Sequence, residues 1–305
     1  MLSDNVRVAV RGWLNCNQVL LRADEGHILV DSGYGTCAKE TLARLREPEM
    51  LGAEPLAGLV NTHCHSDHIG GNAAVARAYG CPTTIPRDEA PTIDDWSIQE
   101  RWNGYVDQYA ERFYYQSTIG AGESFRAAGR EWEAHAAPGH DMEALVFFDP
   151  RDRVLISGDA LWENGLGFVW AHEPPNPFVE AALAALATIE RLAPRVVIPG
   201  HGEPFEDVAD ALARARSRLA AFANDPRRTA RHMMKVMFVF SMLDRGGVAL
   251  SEADAYVASV PCYRDLDERF LGEGTDGLGL RLAESLVRAG ATRIDGGIVR
   301  PTMPR

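Results

Sequence analysis

The sequence predicts an α+β protein in two parts, a sheet-bearing part over 1-205 and a smaller, mainly helical part over 206-305. Three observations lead there. Four short apolar stretches of strand type each run into a turn that presents His or Asp. Past Pro204 the chain changes to alanines, leucines and arginines at helical spacing. The length of 305 residues leaves room for one large domain and a smaller one, since domains run to about 100–200 residues.

The first of these stretches, Leu56-Ala57-Gly58-Leu59-Val60-Asn61, leads straight into Thr62-His63-Cys64-His65-Ser66-Asp67-His68-Ile69-Gly70-Gly71. That run sets three imidazoles and a carboxylate within six positions. Neutral imidazole nitrogens and aspartate oxygens are preferred ligands of zinc and related divalent ions. Their alternation lets one loop serve two neighbouring ions, His63 and His65 facing one, Asp67 and His68 the other. Alone, the run is open to a plainer reading, because His-x-His pairs also sit in solvated loops and a motif needs its context.

The segment that follows carries Trp102, Tyr105, Tyr109 and Phe113 at helical spacing, which predicts one aromatic stripe on one helix face. Such a stripe is core, or a cover over the metal site that touches an apolar or aromatic acyl group. The second strand-like stretch, 131–136, ends in Pro138-Gly139-His140, where Gly139 permits a tight bend. Arg153-Val154-Leu155-Ile156 ends in Ser157-Gly158-Asp159, and Arg195-Val196-Val197-Ile198 ends in Pro199-Gly200-His201-Gly202. Each turn by itself suits a solvated histidine or a turn-favouring aspartate. Four in this order predict side chains converging at one sheet edge, which is what a metal site requires.

With these residues in place the chain resembles the metallo-β-lactamase-fold superfamily of hydrolases. Their pattern is His-x-His-x-Asp-His, a distant His, a bridging Asp and a last His, and the resemblance covers roughly 7–205. It implies an αβ/βα sandwich as the catalytic domain. It also implies that His63, His65 and His140 hold one metal, that Asp67, His68 and His201 hold the second, and that Asp159 bridges them. Asp31, before Ser32-Gly33, matches the family's early aspartate and would support the metal loop. The implied cofactors are two divalent ions, zinc first, with iron or manganese as alternatives. Two such ions hold a water as hydroxide near neutral pH, the expected nucleophile, and Asp67 is a candidate proton acceptor beside the bridging Asp159.

The bridging aspartate belongs, by the same resemblance, to thioesterase, lactonase and nuclease branches and disfavours β-lactam hydrolysis. The stretch from Gly158 to Gly167 looks like the matching loop of hydroxyacylglutathione hydrolases. Two departures weaken that likeness: no Arg follows where those enzymes commonly have one, and Asp141 stands where they have Thr. Trp162, Phe168, Trp170 and His172 lie close enough in sequence to line the same mouth, while His27, His135 and His232 read as structural.

A net charge of −12 argues against a partner bound through many phosphate contacts. The five cysteines, an odd number without paired spacing, suit reduced thiols in the cytoplasm, and Cys64 reads as a loop filler turned away from both ions. No secretory signal and no membrane-spanning run is evident. In the tail, helices over 206–224, about 227–244, after Ser251 and near 278–288 precede a hairpin around Asp295-Gly296-Gly297. That order resembles the winged-helix module of some nuclease-type members. From residue 225 onward, however, 12 basic residues face 11 acidic ones, without the stripe a nucleic-acid module usually displays. The tail is therefore expected to cover the active-site rim or to form a subunit interface in a homo-oligomer.

The reading is a metal-dependent hydrolase of a small-molecule ester, thioester or lactone, using a dinuclear site and a bridging hydroxide. The alternatives are a phosphodiesterase or RNase of the same fold, and a mononuclear iron oxygenase acting on a persulfide.

Overall fold

Alternation of inward and outward apolar residues builds both layers of the molecule. The computed structural model describes residues 2–23 and 26–302. The first sheet has six strands in sequence order: β1 Val6–Ala9, β2 Gln18–Leu21, β3 His27–Val30, β4 Leu56–Val60, β5 Thr83–Pro86 and β6 Ser117–Ile119. The second has five, β7 Ser124–Ala127, β8 Arg130–Ala136, β9 Leu145–Asp149, β10 Val154–Gly158 and β11 Val196–Pro199, in the order β11-β10-β9-β8-β7. Val19, Leu21, Val30 and Val60 of the first sheet meet Trp132, Phe147, Ile156 and Ile198 of the second in one buried cluster. Their neighbours face outward. Leu20, Leu29 and Leu59 pack with Leu45 of helix α1 (Ala38–Leu45) and Val75, the latter beyond the short helix α2 (Ser66–Ile69), in α3 (Asn72–Tyr79).

The insert after β5 holds α4 (Ala90–Asp94) and α5 (Trp96–Val106). On the far side, Val146, Leu155 and Val197 pack under α6 (Pro177–Leu192) and α7 (Val208–Ala223). Helix, sheet, sheet and helix thus form the αβ/βα sandwich, and burial on both faces explains why β9, β10 and β11 run apolar nearly throughout.

The single aromatic stripe expected over 102–113 is divided by the structure. α5 stops at Val106, and Asp107 takes a left-handed φ of 54° while its carboxylate pairs with Arg245. Tyr109 is exposed, with its backbone N–H donating to Tyr34 Oη at 2.9 Å, whereas Phe113 is buried among Ile69, Ile85 and Trp96. Helical spacing does not reveal an ion pair supplied from 138 positions away.

Beyond α7 lie α8 (Pro226–Arg245), β12 (Val248–Ala249), α9 (Ala253–Ser259), α10 (Pro261–Leu266), α11 (Leu278–Arg288), β13 (Thr292–Asp295) and β14 (Ile298–Pro301). These three strands form a sheet in the order β12-β14-β13. Gly296 and Gly297, at φ of 56° and 79°, make the two-residue turn between β13 and β14. One short helix expected after Ser251 is two, because Pro261 opens a new first turn. Met233, Met237 and Phe238 of α8 share a core with Leu14, Tyr34 and Phe168 from the sandwich. No helix of the described residues is long and apolar enough to cross a membrane.

The sheet topology also fixes where the turns gather. β3 and β4 are parallel, β10 and β11 are parallel, and β8 and β10 share a direction because both run antiparallel to β9. The C-terminal ends of these strands release Asp31, the run 61–68, His140, Asp159 and His201 at one edge of the sandwich.

Candidate metal centre

All seven candidate ligands meet at that edge, and six of them are buried while His65 is partly exposed. The donor atoms of His63, His65 and His140 lie within 4.8 Å of one another, as do those of Asp67, His68 and His201 and those of His63, His68 and Asp159. Asp159 stands between the two sets. Its Oδ2 is 3.2 Å from His140 Nε2, while its Oδ1 is 3.4 Å from His68 Nε2 and 3.5 Å from His201 Nε2.

Most of the imidazoles are oriented from behind, leaving one nitrogen turned inward. His68 Nδ1 is held by Asp31 Oδ2 at 2.8 Å, and His140 Nδ1 donates to the Phe168 carbonyl at 2.7 Å. Thr62 Oγ1 donates to Asp31 Oδ2 at 2.8 Å and accepts from His63 Nδ1 at 3.1 Å. The Thr62 N–H also donates to Asp31 Oδ1 at 2.9 Å, so one aspartate with a left-handed φ of 58° organises two of the rings. Outer partners of this kind fix the tautomer and aim of a metal-binding histidine.

The inward atoms have unmet demands. His63 Nε2, Asp67 Oδ2, His68 Nε2 and both ring nitrogens of His201 are buried without a hydrogen-bond partner among the described residues. His201 Nε2 does approach Asp67 Oδ2 to 3.1 Å, but without the alignment of a hydrogen bond. Buried polar atoms are seldom left unpaired, and a cluster of them aimed at common points fits divalent cations.

The electrostatics agree. Burial, then neighbouring imidazoles, pushes His63 well below the usual imidazole range, and burial followed by His65 takes His140 down to about 4. Both are therefore neutral, the form that ligates. Burial alone would raise the Asp159 carboxyl, but His201, His68 and His140 outweigh it and hold it well below the carboxylate range. Burial would lower His68 too, yet the buried Cys16 thiol and the carboxylates Asp31, Asp159 and Asp67 around it drive it well above its usual value. The centre favours positive charge at that point.

Several partners are not evident in the sequence. Asp141 Oδ2 lies 3.4 Å from His65 Nε2, giving that ring its outer neighbour. Behind it Glu89 is buried, accepts from the Cys64 N–H at 2.9 Å, and is raised well above the carboxyl range by burial and then by Asp141. The only signal was that Asp141 departs from the expected Thr. Trp162 Nε1 donates to Asp159 Oδ1 at 3.2 Å. Cys64 is turned into an apolar cluster with Ile69 and Trp96, and burial pushes its thiol well up.

His65, Asp67, His140 and Asp159 open onto a cavity of about 220 Å³. Its walls include Trp102, Trp162 and Phe168, with Val236, Met237 and Phe240 contributed by α8. His232, read from sequence as structural, also lines it. His172 does not, and its Nδ1 donates to the Glu173 carbonyl at 2.7 Å. His27 pairs with Glu54 and His135 with Glu133, away from the centre.

The chain is similar to known proteins in sequence and in fold. A hydroxyacylglutathione hydrolase of Chromohalobacter salexigens is 28% identical over 215 residues, which is 69% of either chain. One from Pseudomonas putida is 28% identical over 144 residues, and there the alignment spans 46% of this chain and 47% of the relative, about half its length. The crystal structure of a beta-lactamase domain protein from Burkholderia ambifaria covers 99% of this chain and 92% of its own at 21% identity, with a TM-score of 0.59, a likeness of fold. The sequence model of the Metallo-beta-lactamase superfamily matches residues 11–201, the span that holds every candidate ligand. The chain belongs to that superfamily, as a metal-dependent hydrolase.

Proposed function

We propose that the chain hydrolyses a small ester, thioester or lactone at a dinuclear centre, with His63, His65 and His140 holding one ion and Asp67, His68 and His201 the other. Asp159 is shared between them. The observation that carries this reading is the position of Asp159, with one oxygen toward His140 and the other toward His68 and His201. A pair of divalent ions, when bound, supplies ionised water near neutral pH and polarises the carbonyl under attack. We take zinc as the metal.

The chain's own residues do the rest. Asp67 is the carboxylate left to take up a proton, through the oxygen not turned to the ion, since Asp159 is engaged by Trp162 and three imidazoles. The aromatic walls exclude water and receive an apolar acyl group. No serine or cysteine is needed as nucleophile. The tail's order of helix, strand, helices and hairpin supports the winged-helix-like reading, and α8 supports its role as active-site rim through Val236, Met237 and Phe240. A cavity walled by aromatics in a chain of net charge −12 favours a small molecule over nucleic acid. The five cysteines are free and buried, in keeping with a reducing cytoplasm.

Elemental analysis beside a panel of esters, thioesters, lactones and an oligonucleotide tests the proposal. Close to two ions per chain and cleavage of carbonyl substrates are expected. Full activity in metal-free protein would defeat it, one iron with oxygen uptake would favour the oxygenase, and cleavage confined to the oligonucleotide would favour the nuclease. Asp31→Ala should weaken metal binding by about ten- to a hundredfold, the range for losing an outer partner of a ligating histidine. Competition with a chromophoric chelator reads this directly, and unchanged affinity would leave Asp31 with a role in loop folding alone.

A further inference from the structure

The cavity that reaches His65 and Asp159 also reaches Arg218 and His232, which the chemistry above does not use. α8 gives the scale. The Phe240 ring lies 5.9 Å from the His201 ring, and His232, Val236 and Phe240 follow at four-residue intervals on one face of the helix. Eight helical residues rise about 12 Å, so His232 lies on the order of 12 Å along α8 from Phe240, the residue beside His201. Between these ends the lining is largely apolar, with Trp13, Trp102, Leu166 and Val236 among it.

Arg218 comes from α7 and lies against the loop that follows Asp159. Its Nη2 donates to the Asn164 carbonyl at 2.9 Å, and its Nη1 lies 2.5 Å from where a Cβ on Gly165 would stand. Among the described residues no carboxylate pairs with it, and burial is the one influence that moves its pKa, downward. That is unusual in a chain with 43 acidic and 31 basic residues, because a partly buried charge is normally set against an opposite one. More positive charge collects at the same end. The His232 imidazole is pushed down to about 4 by burial and then by Arg218, Lys235 and Arg228. It is thus neutral, with its ring tilted at 34° to the Phe222 ring 5.2 Å away, beside cations.

Resting on the hydrolase reading above, we propose that the substrate carries a carboxylate at the far end of an apolar acyl segment, and that Arg218 receives it. A guanidinium offers planar paired donors that match a carboxylate, and one neutral imidazole beside it suits a monoanion. The apolar stretch between the ends suits an aliphatic or aromatic spacer. Arg218 thereby sets specificity, and the reacting carbonyl lies at the other end of the cavity.

The test uses the metal-loaded full chain with para-nitrophenyl octanoate and mono-para-nitrophenyl octanedioate, which share chain length and leaving group. The acid-ended ester should be preferred in kcat/KM by about ten- to a hundredfold, chiefly through KM, as one charge-assisted pair is worth. Arg218→Gln should bring the ratio near unity, and Arg218→Lys should keep part of it. A ratio near unity in the unaltered chain, or an undiminished ratio in Arg218→Gln, overturns the proposal. Quenching of cavity tryptophan fluorescence by octanedioic acid monoanilide and by octananilide gives a second readout that needs no turnover. Selective binding of the acid-ended anilide with neither ester cleaved would overturn the hydrolase reading and uphold the anion site. Cleavage of both esters with equal binding of both anilides would do the reverse.

Discussion

Asp159→Ala is expected to bind one divalent ion per chain where two are expected of the unaltered chain, and to lose hydrolysis by about a hundred- to a thousandfold. The reason lies in charge as much as in ligand count. Five of the seven candidate ligands are imidazoles, and those with a resolved downward shift, His63, His65 and His140, are neutral. The positive charge of two dications must then be met by Asp67 and Asp159. Asp159 alone faces both sets, so its removal leaves two cations in a buried site with no anion between them. Asp159→Asn separates the two contributions, since it keeps the shape and one oxygen while dropping the charge. If charge decides, the amide variant should resemble the alanine variant in metal content by elemental analysis. Two tightly held ions in both variants would remove Asp159 from the bridging position.

The candidate ligands were legible because chemistry restricts them to few residue types and each lies in a turn just past a strand. His140, Asp159 and His201 follow β8, β10 and β11 so closely that parallel strand direction alone brings them together. The sandwich was legible through the family resemblance that those same turns carry, and the burial of its central strands on both faces agrees with it. What lay hidden was assembled from distant segments whose local patterns have ordinary explanations. Arg218 sits on an amphipathic helix where an arginine is unremarkable, and His232 on another. Glu89 belongs to the insert and meets Asp141 only through the fold. Tyr105 and Tyr109 share a helical spacing, yet Arg245 draws Asp107 out of the helix between them. Side chains that act on one another across the fold leave no periodicity to read.

Gly70→Ala is expected to destabilise the chain by about 3 kcal/mol and to weaken metal binding with it, although Gly70 ligates nothing. Its φ of −59° is ordinary, so backbone freedom is not at issue. Close approach is. A Cβ there would stand 2.2 Å from Gly35 N, 2.5 Å from Ser66 O and 2.8 Å from Tyr34 C, all backbone atoms that no rotamer change can clear. This is the seam where the metal loop rests on the turn after β3. Ser32 N donates to His68 O and Gly71 N to Gly33 O, each at 2.9 Å. Forcing the seam apart would draw Asp31 away from His68, which it now holds at 2.8 Å. Gly104→Ala provides the contrast, because Gly104 lies exposed in α5 with nothing within 4 Å of its added Cβ. That change should stabilise by about 0.5–1 kcal/mol through helix propensity. Thermal unfolding of both metal-free variants should move in opposite directions, with Gly70→Ala down by roughly 5–10 °C. Shifts of the same sign and size would mean that the seam yields, and that the loop's geometry is set by the metals rather than by the turn beneath it.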